Sequence, residues 1–265
     1  MKYLLIFALA FALIQPAVAQ DDQLDDFKFE DEPGSETELA YFAAAGGYLA
    51  TLFFPNFDDL NSVAQSRFGF GADAFKSPVY VQGGEGFVAF PYIKNSRIGF
   101  FGIAGGKSLD PKDVKMANPL LLTDSISAKR YLDYHVSFTG VSLDYALMFG
   151  KKFTIVPNVR GGFGSMIIQS YQGTTERSWD DFKPEGTTVN YLNRLEADYL
   201  FVQPGVHFEF AATPFFMLRA SGGYTLSFMP SEWDYNYASK VNDVPSGIKA
   251  SGLTAQIGIF LGLFQ

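Results

Sequence analysis

The chain reads as an all-β protein, an antiparallel up-and-down transmembrane β-barrel of eight strands with a short helix in its first long loop. Two patterns predict this. Four long connections alternate with three short turns, and the segments between them run apolar at every second residue. A barrel that crosses a membrane needs tight turns at one rim, long loops at the other and a lipid-facing residue at alternate positions. Composition agrees: Phe 28 and Tyr 14 bring aromatics to 17%, against Trp 2, and a barrel uses such residues for lipid contact and interfacial girdles.

At the start, Met1-Lys2-Tyr3 precedes an apolar run from Leu4 to Ile14, then Pro16 and Ala17-Val18-Ala19. One positive charge, a short apolar core and a small-residue ending predict a secretory signal peptide over residues 1–19, cut after Ala19. The run is too short for a spanning helix, which needs ~20 apolar residues, and no other stretch is long enough. A membrane-embedded mature chain must then close as a barrel, because lipid satisfies no free backbone group. Residues 20–38 hold nine acids against Lys28 alone, with Pro33 and Gly34; this predicts a solvated lead-in without fixed structure. Its acids lack the spacing of a calcium loop. The barrel is predicted to occupy residues 39–265.

Strand one is expected over about 39–54, although Ala43-Ala44-Ala45-Gly46-Gly47 has too few large side chains to assign faces. Strand two follows over 78–92, with a blurred alternation at Gly83-Gly84, and strand three over 98–107 after the turn Lys94-Asn95-Ser96-Arg97. Strand four, 128–148, is read with Leu132, Tyr134, Val136 and Phe138 outward; a change of phase to Val141, Leu143 and Tyr145 then predicts a β-bulge at Thr139-Gly140. Strand five, 153–170, follows Gly150-Lys151-Lys152, and strand six, 194–211, joins strand seven, 215–229, through Ala212-Thr213-Pro214. Strand seven sets Phe216, Leu218, Ala220, Tyr224, Leu226 and Phe228 against Arg219, Ser221, Gly223, Thr225 and Ser227. Strand eight, 248–264, sets Leu253, Ala255, Ile257, Ile259, Leu261 and Leu263 against Thr254, Gln256, Gly258 and Gly262. Both patterns outlast the ~9–11 residues of a tilted crossing, and a one-residue slip would put arginine into lipid. A secreted lipocalin-like barrel would need the opposite faces, apolar inside and polar outside. In the first long loop, Pro55 and Asn56 supply a start signal and Asp58 and Asp59 a favourable first turn. A helix from Asn56 to Phe68 is predicted, resting against the rim, with a lid over the mouth as the alternative.

Signal peptide, alternating strands, short turns and the aromatic close Phe260-Leu261-Gly262-Leu263-Phe264-Gln265 together resemble the small eight-stranded outer-membrane barrels of the OmpA/OmpX-like superfamily. The resemblance is one of pattern and covers most of 39–265. It implies residence in the outer membrane of a diderm bacterium, contact with outer-membrane lipid and lipopolysaccharide, and insertion by the barrel-assembly machinery. Such barrels commonly end in an outward-facing aromatic, whereas Phe264 is penultimate and shares parity with Gly262.

An eight-stranded lumen is just wide enough to be filled by side chains. Inward parity puts Asp144, Asn158, Arg160, Gln203, His207, Glu209, Arg219 and Gln256 there, with Glu85 a further member. Charges so confined must pair, which predicts a structural polar network, with an ion or proton path as its alternative. His135 and Ser137 lie two apart on one face with Asp133 beside them. They resemble the histidine and serine of outer-membrane lipid A deacylases without reproducing the neighbouring residues. A lipid-modifying hydrolase is therefore one alternative reading, and a narrow channel for an apolar solute, hinted at by Phe201, Met217 and Phe260, is another. The reading preferred is non-catalytic, without cofactor or metal: two histidines on separate strands and no cysteine make a poor transition-metal set. The absence of cysteine also excludes a lipid-anchored lipoprotein and a disulfide scaffold. The formal charge of −8 argues against nucleic acid. The long loops are assigned to binding or to envelope stabilisation, and their aromatics Trp179, Tyr191, Trp233, Tyr235 and Tyr237 are expected to be exposed for an extracellular ligand or for the lipopolysaccharide zone.

Overall fold

The computed structural model describes residues 43–90, 92–117, 125–150, 152–173, 191–228 and 232–264. The predicted signal peptide, the acidic lead-in, Lys151, Trp179 and Gln265 lie outside the described residues. Eight strands close into an antiparallel barrel: β1 (Ala43–Pro55), β2 (Val79–Ala89), β3 (Ser96–Ser108), β5 (Ser125–Tyr145), β7 (Phe153–Gly173), β8 (Tyr191–Thr213), β9 (Phe216–Phe228) and β12 (Gly252–Phe264). Each pairs with its neighbours in chain order, and β12 returns to pair β1 from Ala43↔Phe264 to Pro55↔Gly252. Closure leaves no sheet edge unsatisfied. Shorter pieces decorate the two ends: β4 (Lys112–Ala117) pairs β5 beyond the loop rim, β6 (Leu147–Phe149) extends the turn before β7, and β10 (Trp233–Tyr235) with β11 (Ser239–Val241) makes a small hairpin beside β8. The predicted eight-strand, up-and-down architecture stands, with the extra hairpins added above the rim, where no alternation marks them.

The outer wall is apolar. Phe100 and Ile257 are 67% and 66% exposed, and Leu143, Phe163, Leu200 and Leu261 are exposed likewise. A water-soluble fold does not leave such a belt uncovered; lipid is its natural solvent. Phe90, Tyr92, Phe149, Phe153 and Phe215 gather near the short turns, while Tyr80, Tyr224 and Phe228 stand nearer the long loops, in the manner of interfacial girdles. No described helix is long and apolar enough to cross a membrane.

Two phase breaks expected from the sequence do not occur. β5 keeps one parity throughout, with Leu132, Tyr134, Val136, Phe138, Ser142 and Asp144 all buried. Its ladder with β3 is unbroken from Ser96↔Tyr145 to Ser108↔Asp133. Placing the aromatic and aliphatic residues of β5 outward assumes a polar lumen; the loop-side half of the lumen is in fact apolar. β2 likewise alternates regularly through Gly83-Gly84. Its glycine is there for close approach: a Cβ on Gly83 would stand 1.9 Å from the Gly102 carbonyl oxygen, as one on Gly140 would stand 2.2 Å from that of Gly161. A register shift does occur between Ala211 and Thr213, where β8 bends into its turn.

The helix α1 (Asp58–Phe68) begins where Asn56 Oδ1 accepts the Asp58 N–H (2.7 Å) and ends at Gly69 in the left-handed region, φ 72°. It lies over the mouth instead of resting on the rim. Phe57, Leu60 and Ala64 are buried with Phe75, and the Phe57 ring meets Tyr134 edge-on at 5.1 Å.

Candidate functional site

The lumen is filled in layers. At the turn end Phe87 and Phe260 form a floor, their ring centroids 5.5 Å apart. On this floor stand the guanidinium groups of Arg97, 4.3 Å from Phe87, and Arg219, 4.1 Å from Phe260. Arg160 stacks on Phe101 at 4.9 Å. Flat, weakly hydrated guanidinium groups suit such sandwiching better than ammonium groups would.

Between these aromatics runs a single chain of hydrogen bonds. Asp144 accepts from Arg97 (3.0 Å), which also donates twice to Glu209 (2.8 Å each). Glu209 accepts from Arg219 Nε (2.8 Å), and Arg219 reaches Glu85 at 2.6 Å. Glu85 takes a second guanidinium, that of Arg160, which donates to Gln256 (3.1 Å); Gln256 in turn donates to Thr51 (2.6 Å). The members come from β5, β3, β8, β9, β2, β7, β12 and β1 in that order, one residue from each barrel strand. Three arginines face three carboxylates, so the chain is formally neutral. Pairing at this burial is what keeps the charges tolerable.

Of the residues assigned to the lumen by parity, Asp144, Arg160, Glu209, Arg219 and Gln256 meet in this chain, and Glu85 joins them. Asn158 is buried beside it, bonded weakly to the Val156 carbonyl. His207 pairs through Nδ1 with Ser221 (2.7 Å), and Gln203 donates to Thr254 (2.6 Å). The assignment of Arg97 to a basic turn calls for correction: it is the second residue of β3 and is buried at the centre of the chain. Its parity with Phe101 and Ile103 is the available signal. The free space left among Thr51, Arg160, His207 and Gln256 is about 10 Å³. Glu85, Asp144 and His207 bring ligand atoms within 4.8 Å of one another. With three guanidinium groups set against the same carboxylates, that donor set suits an ion-pair network and not a metal.

Above the ionic chain the lumen changes character. Phe101, Phe138, Tyr199 and Phe201 pack edge to face at 5.4–6.1 Å, with Tyr199 and Phe201 tilted at 6.4 Å, Phe53 meets Phe138 at 5.3 Å, and the phenol of Tyr199 donates to the Ser137 carbonyl (2.6 Å). Phe201 is packed into this layer, and Met217 and Phe260 at the turn end; all three are buried. Over them sits the α1 segment, tied on every side. Asn61 pairs twice with the backbone of Phe75 (2.8 and 3.0 Å). The Phe68 and Gly69 carbonyls, at the helix C-terminus where cations are favoured, accept from Arg130 (2.8 Å) and Lys112. Asp59 accepts the Gly247 N–H (2.9 Å) from the last long loop.

Four of the five loop aromatics fall on described residues, and they differ. Trp233, expected to be exposed, is 8% exposed and belongs to the core, because the β10–β11 hairpin folds it inward. Tyr235 is half-buried and donates to Asn193 (2.5 Å). Tyr237 is 74% exposed, under the Arg194 guanidinium at 4.6 Å, and Tyr191 is half-buried at the start of β8. Asn236 and Arg194 exchange hydrogen bonds (2.7 and 2.9 Å), fixing this hairpin to the barrel. Lys240 bonds to Asp234 at 2.7 Å, which holds its ammonium above the usual lysine range. His135 and Ser137 do share the outer face of β5, His135 exposed, but the Ser137 hydroxyl is engaged with that of Ser165 (3.1 Å).

No family model and no curated relative matches the chain. Solved structures give distant matches. The attachment invasion locus protein Ail of Yersinia pestis is 10% identical over 85% of this chain and 99% of its own, TM-score 0.36. A major outer membrane protein from Thermus thermophilus is 8% identical over 84% and 99%, TM-score 0.43. The outer membrane protease OmpT from Escherichia coli is 8% identical over 85% and 95%, TM-score 0.28. Similarities this distant assign no activity.

Proposed function

We propose that this protein is a non-catalytic outer-membrane barrel of a diderm bacterium, exported with a signal peptide cut after Ala19, that binds at its loop-side mouth and conducts nothing. The observation that carries this reading is the filled lumen: an aromatic floor, an ionic chain through all eight strands, an aromatic layer and the α1 cap lie in series. What remains for function is the mouth, where long connections stand on a rigid wall. The outer aromatics are matched to lipid and lipopolysaccharide. Phe264 is buried, so a terminal signal for the barrel-assembly machinery would be read before the strand closes. Planar-bilayer recording tests the reading: silence at high protein load is expected, and steady single-channel steps would overturn it. Recovery in the soluble periplasmic fraction would overturn the location.

The hydrolase reading keeps one supporting observation, the shared outer face of His135 and Ser137. Nucleophilic catalysis needs a base aligned on the nucleophile by an acid, and Ser137 is bonded to Ser165 instead. Unchanged lipid A in cells producing the wild type and the His135→Ala, Ser137→Ala variant would end that alternative.

A further inference from the structure

On the outer wall, near the short turns, the ladder between β5 and β7 lapses. Pairing stops at Asp144↔Asn158 and resumes, through β6, at Leu147↔Ile155. Pro157, which has no N–H to donate, falls in the gap, and Ala146 donates to the Asn95 carbonyl of the neighbouring turn (2.7 Å). Over the gap lies an outward-facing groove of about 450 Å³. Ile98, Leu143, Tyr145 and Val159 form its sides, and Phe90 and Ile93 stand at its turn end. The polar side chains at its base are already engaged: Arg97 with Asp144 (3.0 Å), Ser96 with the Ile93 carbonyl (2.6 Å) and Asn158 with that of Val156 (3.4 Å). An occupant therefore meets apolar surface, continuous with the lipid-facing belt. Charge is one-sided here. Among the described residues of the three short connections, β2–β3, β5–β7 and β8–β9, Lys94 and Lys152 are the only charged ones, and both are exposed. They belong to the two connections that flank the groove and that the Ala146–Asn95 bond joins. Lysines at this level of a membrane wall attract anionic head groups.

We infer that this groove is a binding site for an acyl chain of one anionic phospholipid in the turn-side leaflet, its head group drawn to Lys94 and Lys152. The inference rests on the outer-membrane reading, in which the long loops face the lipopolysaccharide and the short turns the phospholipid leaflet. It adds a defined place on the wall and the class of lipid held there.

The test is fluorescence quenching of the full mature protein in phosphatidylcholine bilayers, titrated with phosphatidylglycerol or phosphatidylcholine whose acyl chains carry bromine. The reporter is Phe90→Trp, at the groove; the comparator is Phe215→Trp, at the β8–β9 connection, where no described residue is charged. The wild-type signal of the two native tryptophans is subtracted. At position 90 the anionic lipid is expected to bind about five-fold tighter than the zwitterionic one, the worth of one lysine near the surface, and at position 215 equally. Lys94→Gln with Lys152→Gln removes the preference, and about 1 M salt does the same without any substitution. Val159→Phe or Ile98→Phe fills the groove from either side and lowers quenching at position 90 by both lipids, heat-modifiable migration reporting the fold. Equal preference at positions 90 and 215, a preference surviving both the glutamines and the salt, or quenching indifferent to both phenylalanines would each overturn the assignment. Quenching at neither position would overturn the membrane reading itself, an outcome distinct from those three.

Discussion

The turn-side and loop-side halves of the lumen occupy the same eight-stranded wall and are filled by different physics. The turn-side half is directional. Each charged group in its ionic chain has a partner of opposite charge, and the pairs are remote in sequence: Arg97 and Glu209 are 112 residues apart, Arg219 and Glu85 134. The loop-side half is non-directional, built of aromatic and aliphatic side chains whose packing depends on shape and volume. One residue per strand in the first half ties the barrel across its axis and specifies register, since a slip by one residue would turn an arginine or carboxylate into lipid. The second half can accept a helix from a connecting loop, because apolar surface asks only to be covered. Closure and capping are thus divided between the two ends.

Substitutions should separate the halves. The largest effect is expected at Glu209, whose carboxylate serves both Arg97 and Arg219. Glu209→Ala leaves two buried guanidinium groups undercompensated and should lower unfolding free energy by about 4 kcal/mol, read by urea titration in lipid vesicles. Phe138→Ala, at the junction with the aromatic layer, should cost about 3 kcal/mol, partly recoverable by Leu because the requirement there is volume. If Glu209→Leu were as mild as Phe138→Leu, the distinction between the halves would fall. Arg130→Ala, which frees the Phe68 carbonyl at the end of α1, should act locally: about 1 kcal/mol less protection of α1 amides in hydrogen exchange, with the strands unaffected. Lys240→Ala should leave stability unchanged within error, since its pair with Asp234 is solvent-exposed; a measurable loss would show the outer hairpin coupled to the barrel.

The alternation in β7, β9 and β12 is legible because lipid on one side and a confined interior on the other impose a two-residue period, and it suffices for strand number, orientation and most of the inward polar set. The faces of β5 are not legible, for a physical reason. Leu132, Tyr134, Val136 and Phe138 are apolar inside as well as outside, so neither face carries contrast, and the assumption of a polar lumen selects the wrong one. Arg97 escapes because it stands one residue inside β3, where a strand boundary and a turn look alike. Trp233 escapes because a three-residue hairpin leaves no period to detect.

The sequence by itself determined that the chain closes as an eight-stranded transmembrane barrel with its turns at one end, its long loops at the other, and charges that had to pair inside. Periodicity is a local property, and local properties survive in a string of letters. Which arginine meets which carboxylate, that the chain of bonds passes once through every strand, and that α1 covers the mouth were decided only by the tertiary structure. Those depend on where the barrel's stagger brings residues a hundred positions apart to the same level, and no segment of the sequence carries that distance.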